Sequence, residues 1–180
     1  MLQLNVRGTE MFDERTNKRI YVKGTTLQLE HSLVSLSKWE SKWKVPFLGN
    51  DNLTQEMSID YIRCMTITQH VDPNVYNFLT QENLDEVRAY IEDPMTATTF
   101  KNEGKKPNRS VMTAEIIYYW MVALQIPFDP CQKWHLNRLL TLVRVCDEKN
   151  QPKKKMSKRE AMSRQRSLNA ARKAKYNTHG

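Results

Sequence analysis

The chain has 180 residues and a net charge of +8, with 39% hydrophobic and 27% charged residues. This size predicts one globular domain, alone or with an appendage, rather than a two-domain enzyme. Five glycines are few, which argues against glycine-rich phosphate loops and against an all-β sandwich with many tight turns. The chain lacks an apolar run of about 18 residues and a secretion-signal pattern at its start, so we expect a cytoplasmic protein without membrane contact.

The positive charge is concentrated at one end of the chain. Residues 151–180 hold ten lysines and arginines against one glutamate, whereas residues 1–150 hold 18 basic and 19 acidic residues. A nearly neutral body followed by a cationic tail is typical of proteins that bind a polyanion or an acidic protein surface, although such a tail is as often a solvated helix. We therefore predict two segments, a globular domain at 1–150 and a cationic linker with a terminal helix at 151–180.

The first 30 residues have the pattern of β-structure. Apolar and polar residues alternate in Leu2–Val6, and Arg19–Val22 and Leu27–Leu29 are rich in β-forming residues. Gly8 and Gly24 punctuate these runs. The pattern predicts a small antiparallel hairpin or a three-strand sheet, which needs helices to cover its apolar face.

The rest of the chain has helical spacing, interrupted by proline. We predict helices that begin after Ser32, after Thr54 or Asn52, and at the Asp72-Pro73 pair. Further helices are predicted around Leu84–Ile91, over Ser110–Leu124, from Cys131 to about Asp147, and from Lys158 to about Lys175. Residues 94–110 form the predicted loop. The 110–124 helix is apolar on all sides, so we expect the core to enclose it. The fold class is therefore mainly α, with a small N-terminal antiparallel β element and a basic C-terminal helix.

No set of residues predicts catalysis. The three cysteines are widely spaced and are expected to be reduced thiols packed as small hydrophobes. Cys131 and His135 are four residues apart on a predicted helix and could bind a metal, but His135 is more simply an edge residue of the core. Glu92 and Asp93 are adjacent and therefore point in different directions. We expect no catalytic residue, no metal and no cofactor.

Two groups of residues are candidates for partner binding. Trp39 and Trp43 lie one helical turn apart among lysines and could form a binding edge, although aromatic residues at this spacing more often belong to the core. The second group is the set of tail cations, namely Lys153, Lys154, Lys155, Arg159, Arg164, Arg166, Arg172 and Lys173.

Four stretches are characteristic when taken together. They are LEHSLVSLSKWESKW at 29–43, YIEDPMTATTF at 90–100, EIIYYW at 115–120 and KWHLNRLL at 133–140. From about residue 25 to the end, the chain resembles small proteins of the tail-gene module of long-tailed bacteriophages, some of which resemble tail assembly chaperones. The resemblance implies a non-enzymatic role in which the protein binds other tail proteins, such as the long helical tape-measure protein or the tube protein, in the host cytoplasm.

Two alternatives remain open from the sequence. The basic C-terminal segment could bind nucleic acid through phosphates, without reading bases, because no zinc-finger spacing, ribonucleoprotein motif or GXXG loop is present. The protein could also be a structural component of the virion, at a connector or at the end of the tail.

Overall fold

The computed structural model describes residues 1–13, 17–100, 111–150 and 158–176. Its described part is mainly α-helical with an N-terminal antiparallel β element and a C-terminal helix, as the sequence predicts. The chain divides into two compact units, Met1–Asp147 and Glu148–Gly180.

The β element is one long hairpin in two halves. Strands β1 (Leu2–Val6) and β4 (Thr25–Leu29) pair antiparallel, and so do β2 (Thr9–Asp13) and β3 (Lys18–Val22). The register is continuous across both halves, since Val6 pairs with Thr25 and Thr9 with Val22. The hairpin prediction is therefore right, and the three-strand alternative is wrong because β2 was missed.

The halves meet where Gly8 and Gly24 face each other. A Cβ added at Gly8 would lie 2.7 Å from the backbone nitrogen of Gly24, and one added at Gly24 would lie 2.9 Å from that of Gly8. The two backbones thus approach more closely than any side chain permits. Beyond this joint the ribbon carries exposed aromatic residues, Phe12 and Tyr21.

The helices in chain order have these bounds: α1 Leu33–Trp43, α2 Gln55–Met65, a 3-10 helix Pro73–Phe78, α3 Gln81–Glu92, α4 Ala114–Ala123, α5 Phe128–Cys131, α6 Leu136–Asn150 and α7 Lys158–Tyr176. The caps follow the sequence prediction at the start of α1 and α2, where Ser32 and Thr54 accept hydrogen bonds from backbone amides. Asp72 caps the 3-10 helix in the same way.

The core lies under the apolar face of the proximal hairpin. Leu4 and Leu27 pair across β1 and β4 and are fully buried. Helix α1 packs against α2 and α4, and α3 packs against β1. These contacts bury Leu36, Trp39 and Met121 completely, so the hairpin gains the helical cover that a two-stranded ribbon needs.

Helix α6 begins five residues later than the sequence indicates. The predicted start was Cys131, whereas the structure places it at Leu136. His135 instead forms an isolated β-bridge with Ser32, and the Leu136 amide donates to the His31 carbonyl at 2.7 Å. These tertiary bonds hold the segment in a non-helical conformation, which the local pattern does not reveal.

Candidate functional site

Helix α4 has an apolar outward side. Its inward residues Ala114, Ile117 and Met121 are fully buried, but Tyr119 is 68% and Val122 62% exposed. Ile116 and Ala123 are exposed on the same side, where Glu115 is the one charged residue of the helix. We call Ile116, Tyr119, Val122 and Ala123 the α4 face. The expectation that the core encloses this helix is therefore wrong.

An apolar groove borders the α4 face. It has a volume of about 400 Å³ and lies between α4 and α6. Its lining consists of apolar side chains with two charged residues: Met112, Trp120, Ala123, Leu124, Leu140, Val143, Arg144 and Asp147. Ala123 belongs to both, so the groove adjoins the α4 face.

This surface can bind the apolar side of a partner helix. A groove beside an exposed aromatic residue takes anchors spaced at i, i+3, i+4 and i+7, and tyrosine is among the residues that contribute most to protein interfaces. Surface helices ordinarily turn polar residues outward. An outward side with Tyr119, Val122 and Ile116 is a marked departure from that rule.

A second cleft of about 560 Å³ lies between α2 and α3. Leu84 and Ile91 line it together with polar side chains such as Gln55 and Ser58. Arg88, also in the lining, has its guanidinium 3.8 Å from the Asp85 carboxylate. The cleft mixes apolar and polar groups, and the α4 face is the more consistently apolar surface.

Trp39 lies in the core, so its predicted role at a binding edge is wrong. Its side chain is fully buried, and its indole nitrogen donates to the Met57 carbonyl at 2.9 Å. Its ring packs edge-on against Phe47 and Tyr61. The physical reason is that an aromatic side chain at an inward helical position gains most by burial.

Trp43 is half-buried beside Trp39, with ring centroids 6.2 Å apart. Its indole nitrogen donates to Asp60 Oδ2 at 2.8 Å, and Lys42 Nζ lies 2.6 Å from the other oxygen of the same carboxylate. Burial opposes the charged form of Asp60, but these hydrogen bonds outweigh it and lower the pKa of the carboxyl. The indole thus has a structural partner, and its role in partner binding stays a prediction.

The tail cations on α7 are all exposed, namely Arg159, Arg164, Arg166, Arg172 and Lys173. Their exposure makes them accessible to a partner. Lys153, Lys154 and Lys155 lie outside the described residues.

Two buried histidines form a polar cluster inside the core. His31 Nδ1 lies 2.6 Å from the Tyr61 hydroxyl, and its ring centroid is 5.2 Å from that of His135. Burial, together with the neighbouring His135, lowers the pKa of His31 to about 3. Burial also raises the pKa of Tyr61. Both groups are therefore neutral near pH 7.

The nitrogens of His135 are both engaged by the protein. Nδ1 accepts from the Asn137 amide at 3.3 Å, which leaves Nε2 to donate to the Tyr90 carbonyl at 3.0 Å. Since His135 precedes α6, it does not share a helix face with Cys131, and the possible metal pair is not formed. Within the described ranges, no group of three or more His, Cys, Asp or Glu side chains is placed to hold a metal ion.

The α4 face is the surface that the sequence reasoning missed. The pattern of 114–124 contains apolar residues on every side, and such a pattern alone does not separate an enclosed helix from one with an exposed apolar side. One signal was available, namely that its charged residue, Glu115, stands among outward positions.

Comparison with protein-family models, with curated proteins and with solved structures finds no match to this chain. Among the residues that the structure describes, none of the helices has the length and apolar character required to cross a bilayer.

Proposed function

We propose that the protein is a non-enzymatic, chaperone-like assembly protein of a bacteriophage tail, which binds another tail protein through the α4 face. The single observation that carries this proposal is the exposure of Tyr119 and Val122 on the outward side of an apolar helix. The sequence resemblance described above supplies the class of partner, namely the tape-measure protein or the tube protein.

The chemistry of the α4 face fits a helical partner. Full burial of a side chain such as Val122 contributes about 1.5–3 kcal/mol, and a tyrosine adds a larger apolar area with a polar end. The adjoining groove between α4 and α6 offers a place for a row of apolar anchors. If the partner is the long helical tape-measure protein that the resemblance implies, the α4 face would cover a row of apolar residues on that helix.

The test measures binding of the purified protein to the tape-measure and tube proteins of the same phage. The double variant Tyr119→Ser, Val122→Ser should bind at least about tenfold more weakly, because each truncated interface anchor costs more than about 1 kcal/mol. The matched control is Tyr21→Ser, Ile67→Ser, which removes a tyrosine that is also 68% exposed and an isoleucine that is 52% exposed. The control should bind like the wild type.

Two results would overturn the proposal. One is that neither tail protein binds the wild type, and the other is that the α4-face variant and the control bind equally well. Mass spectrometry of purified virions adds a second criterion, since an assembly factor is absent from mature particles. Stoichiometric copies there would show a structural virion component instead.

A further inference from the structure

Helix α7 is a 19-residue helix, Lys158–Tyr176, and every α7 side chain that the structure describes is exposed. It carries seven lysines and arginines and a single acidic residue, Glu160. A helix with so little apolar surface gains its stability from a partner rather than from its own packing. Its charge indicates that this partner is anionic.

The cations of α7 are unevenly distributed around the helix. At about 100° per residue, five of them fall within a sector about 140° wide. We call Lys158, Arg159, Arg166, Arg172 and Lys173 the cationic face. The position of Glu160 is on the opposite side of the helix, as are those of Arg164 and Lys175.

The cationic face has a regular repeat along the helix axis. Arg159, Arg166 and Lys173 follow one another at intervals of seven residues, so that each lies about 10.5 Å along the axis from the next. The whole face extends over about 22 Å. Such a row of positive groups matches a long, uniformly charged ligand better than a single acidic side chain.

The residues between these cations favour a phosphate backbone over an apolar protein groove. Gln165, Asn169 and Tyr176 fall within the sector of the cationic face, and Met162 is the one apolar aliphatic side chain there. A helix that docks in an apolar groove would carry a row of apolar anchors at these positions. The apolar Leu168 lies on the other side. Arginine, lysine, glutamine, asparagine and tyrosine side chains all contact phosphate oxygens in protein–DNA complexes.

We propose that α7 is a nucleic-acid-binding helix whose cationic face contacts the phosphate backbone. This site is separate from the α4 face and goes beyond the tail-assembly function. Recognition rests on phosphates, so duplexes of different sequence bind with similar affinity, and the affinity falls with salt.

The test is fluorescence anisotropy of the full-length protein with a labelled 25-base-pair DNA duplex between 50 and 200 mM KCl. If the cationic face contacts up to five phosphates, log K should fall against log salt with a slope of up to about −4.5. The variant Arg166→Gln, Lys173→Gln should reduce the steepness of this slope by about 1.8 and weaken binding at 50 mM KCl more than tenfold.

The matched control is Arg164→Gln, Lys175→Gln, which removes the same residue types from the opposite side of α7. It should retain most of the affinity and the wild-type slope. Equal losses in both variants would overturn the proposal, because net charge rather than the cationic face would then determine binding. Circular dichroism of each variant establishes that α7 still forms.

A competition experiment addresses the other class of anionic partner. Poly-L-glutamate, matched to the duplex in charge concentration, should displace the labelled DNA poorly. Displacement as effective as that by unlabelled duplex would overturn the proposal in favour of an acidic protein partner. The α4-face variant should bind DNA like the wild type, so failure of the nucleic-acid proposal is distinguishable from failure of the assembly proposal.

Discussion

The hydroxyl oxygen of Tyr61 lies 2.6 Å from Nδ1 of His31, and both side chains are almost completely buried. The contact links the start of α1 to the middle of α2. It also holds a titratable imidazole where water does not reach it, so its protonation is coupled to unfolding.

This burial predicts that the protein loses stability in mild acid. The pKa of His31 is lowered to about 3 in the folded state, against about 6.5 in an unfolded chain. Between these values the unfolded chain takes up a proton that the folded protein does not. The free energy of unfolding should thus fall with decreasing pH, by at most about 1.4 kcal/mol per unit from this residue. The lowered pKa of Asp60 adds to the same trend.

The variant His31→Asn isolates the contribution of this histidine, because asparagine can still reach the Tyr61 hydroxyl but does not titrate. In urea unfolding between pH 4 and 7, the free energy of unfolding of His31→Asn should depend less steeply on pH than that of the wild type. His70→Asn is the control, since His70 is exposed and its backbone φ of 55° suits asparagine. If His31→Asn retains the wild-type slope, burial of His31 is not what destabilises the protein in acid.

The carboxylate of Asp60 should be required for the arrangement of Trp43. It accepts from the Trp43 indole at 2.8 Å and from Lys42 at 2.6 Å, and its side chain is 8% exposed. Asp60→Asn removes the charge from both bonds and should cost about 1–2 kcal/mol, with a shift in tryptophan emission. Lys42→Met should cost less than about 1 kcal/mol, because the lysine is more than half exposed. If Asp60→Asn is as stable as the wild type, the Asp60 carboxylate is not required for the arrangement of Trp43.

The buried carboxylate of Glu40 supplies the cap that α4 lacks. Thr113, at the N-cap position, makes no side-chain cap bond, whereas Glu40 Oε2 accepts from the Ala114 amide at 2.7 Å and Oε1 from the Phe47 amide at 3.0 Å. Glu40→Gln replaces one acceptor by a donor that faces an N–H group. The expected loss is about 2–3 kcal/mol, with faster hydrogen exchange in the first turn of α4.

Glu56→Gln is the control for this substitution, since Glu56 is an exposed first-turn residue of α2. It should change stability by less than about 0.5 kcal/mol. A Glu40→Gln protein as stable as this control would mean that the α4 N-terminus does not depend on the carboxylate.

The sequence predicted correctly those helix ends that are determined by residues close to them in the chain. Ser32, Thr54 and Asp72 cap helices where an acceptor precedes an apolar-periodic run, and Pro94 follows the end of α3. The secondary-structure predictions fail where contacts between residues far apart in the chain determine the local conformation. His135 is drawn out of a helix by its bridge to Ser32. Strand β2 (Thr9–Asp13) forms because β3 lies beside it in register.

The candidate surface was accessible to sequence reasoning only in part. The charge of α7 follows directly from the sequence, and its helix was predicted. The outward side of α4 was not predicted, because which side of an all-apolar helix faces the core depends on where α1 and its Glu40 carboxylate meet it. The sequence also left open a surface role for Trp39. A tryptophan one helical turn from Trp43 can belong to the core or to a binding edge, and the structure buries it.

The glycine joint of the hairpin predicts a local defect on substitution. In Gly8→Ala the new Cβ would lie 2.7 Å from the Gly24 nitrogen, so the two strands must separate at that point. We expect a loss of about 1–3 kcal/mol, the usual cost of a forced backbone shift. Amides of β2 and β3 should exchange faster than those of β1 and β4, because the distal half depends on the joint for its alignment with the core-packed half.

Thr9→Ala is the matched control, since Thr9 is the exposed neighbour of Gly8 and the substitution adds no atom to the joint. Hydrogen-exchange rates and the free energy of unfolding in urea should change little in Thr9→Ala and strongly in Gly8→Ala. Gly24→Ala should reproduce the Gly8→Ala effect, because its Cβ meets the Gly8 nitrogen at 2.9 Å from the other strand. If either alanine variant keeps wild-type stability and exchange, the continuous register does not require the close approach, and the two halves of the ribbon fold independently of each other.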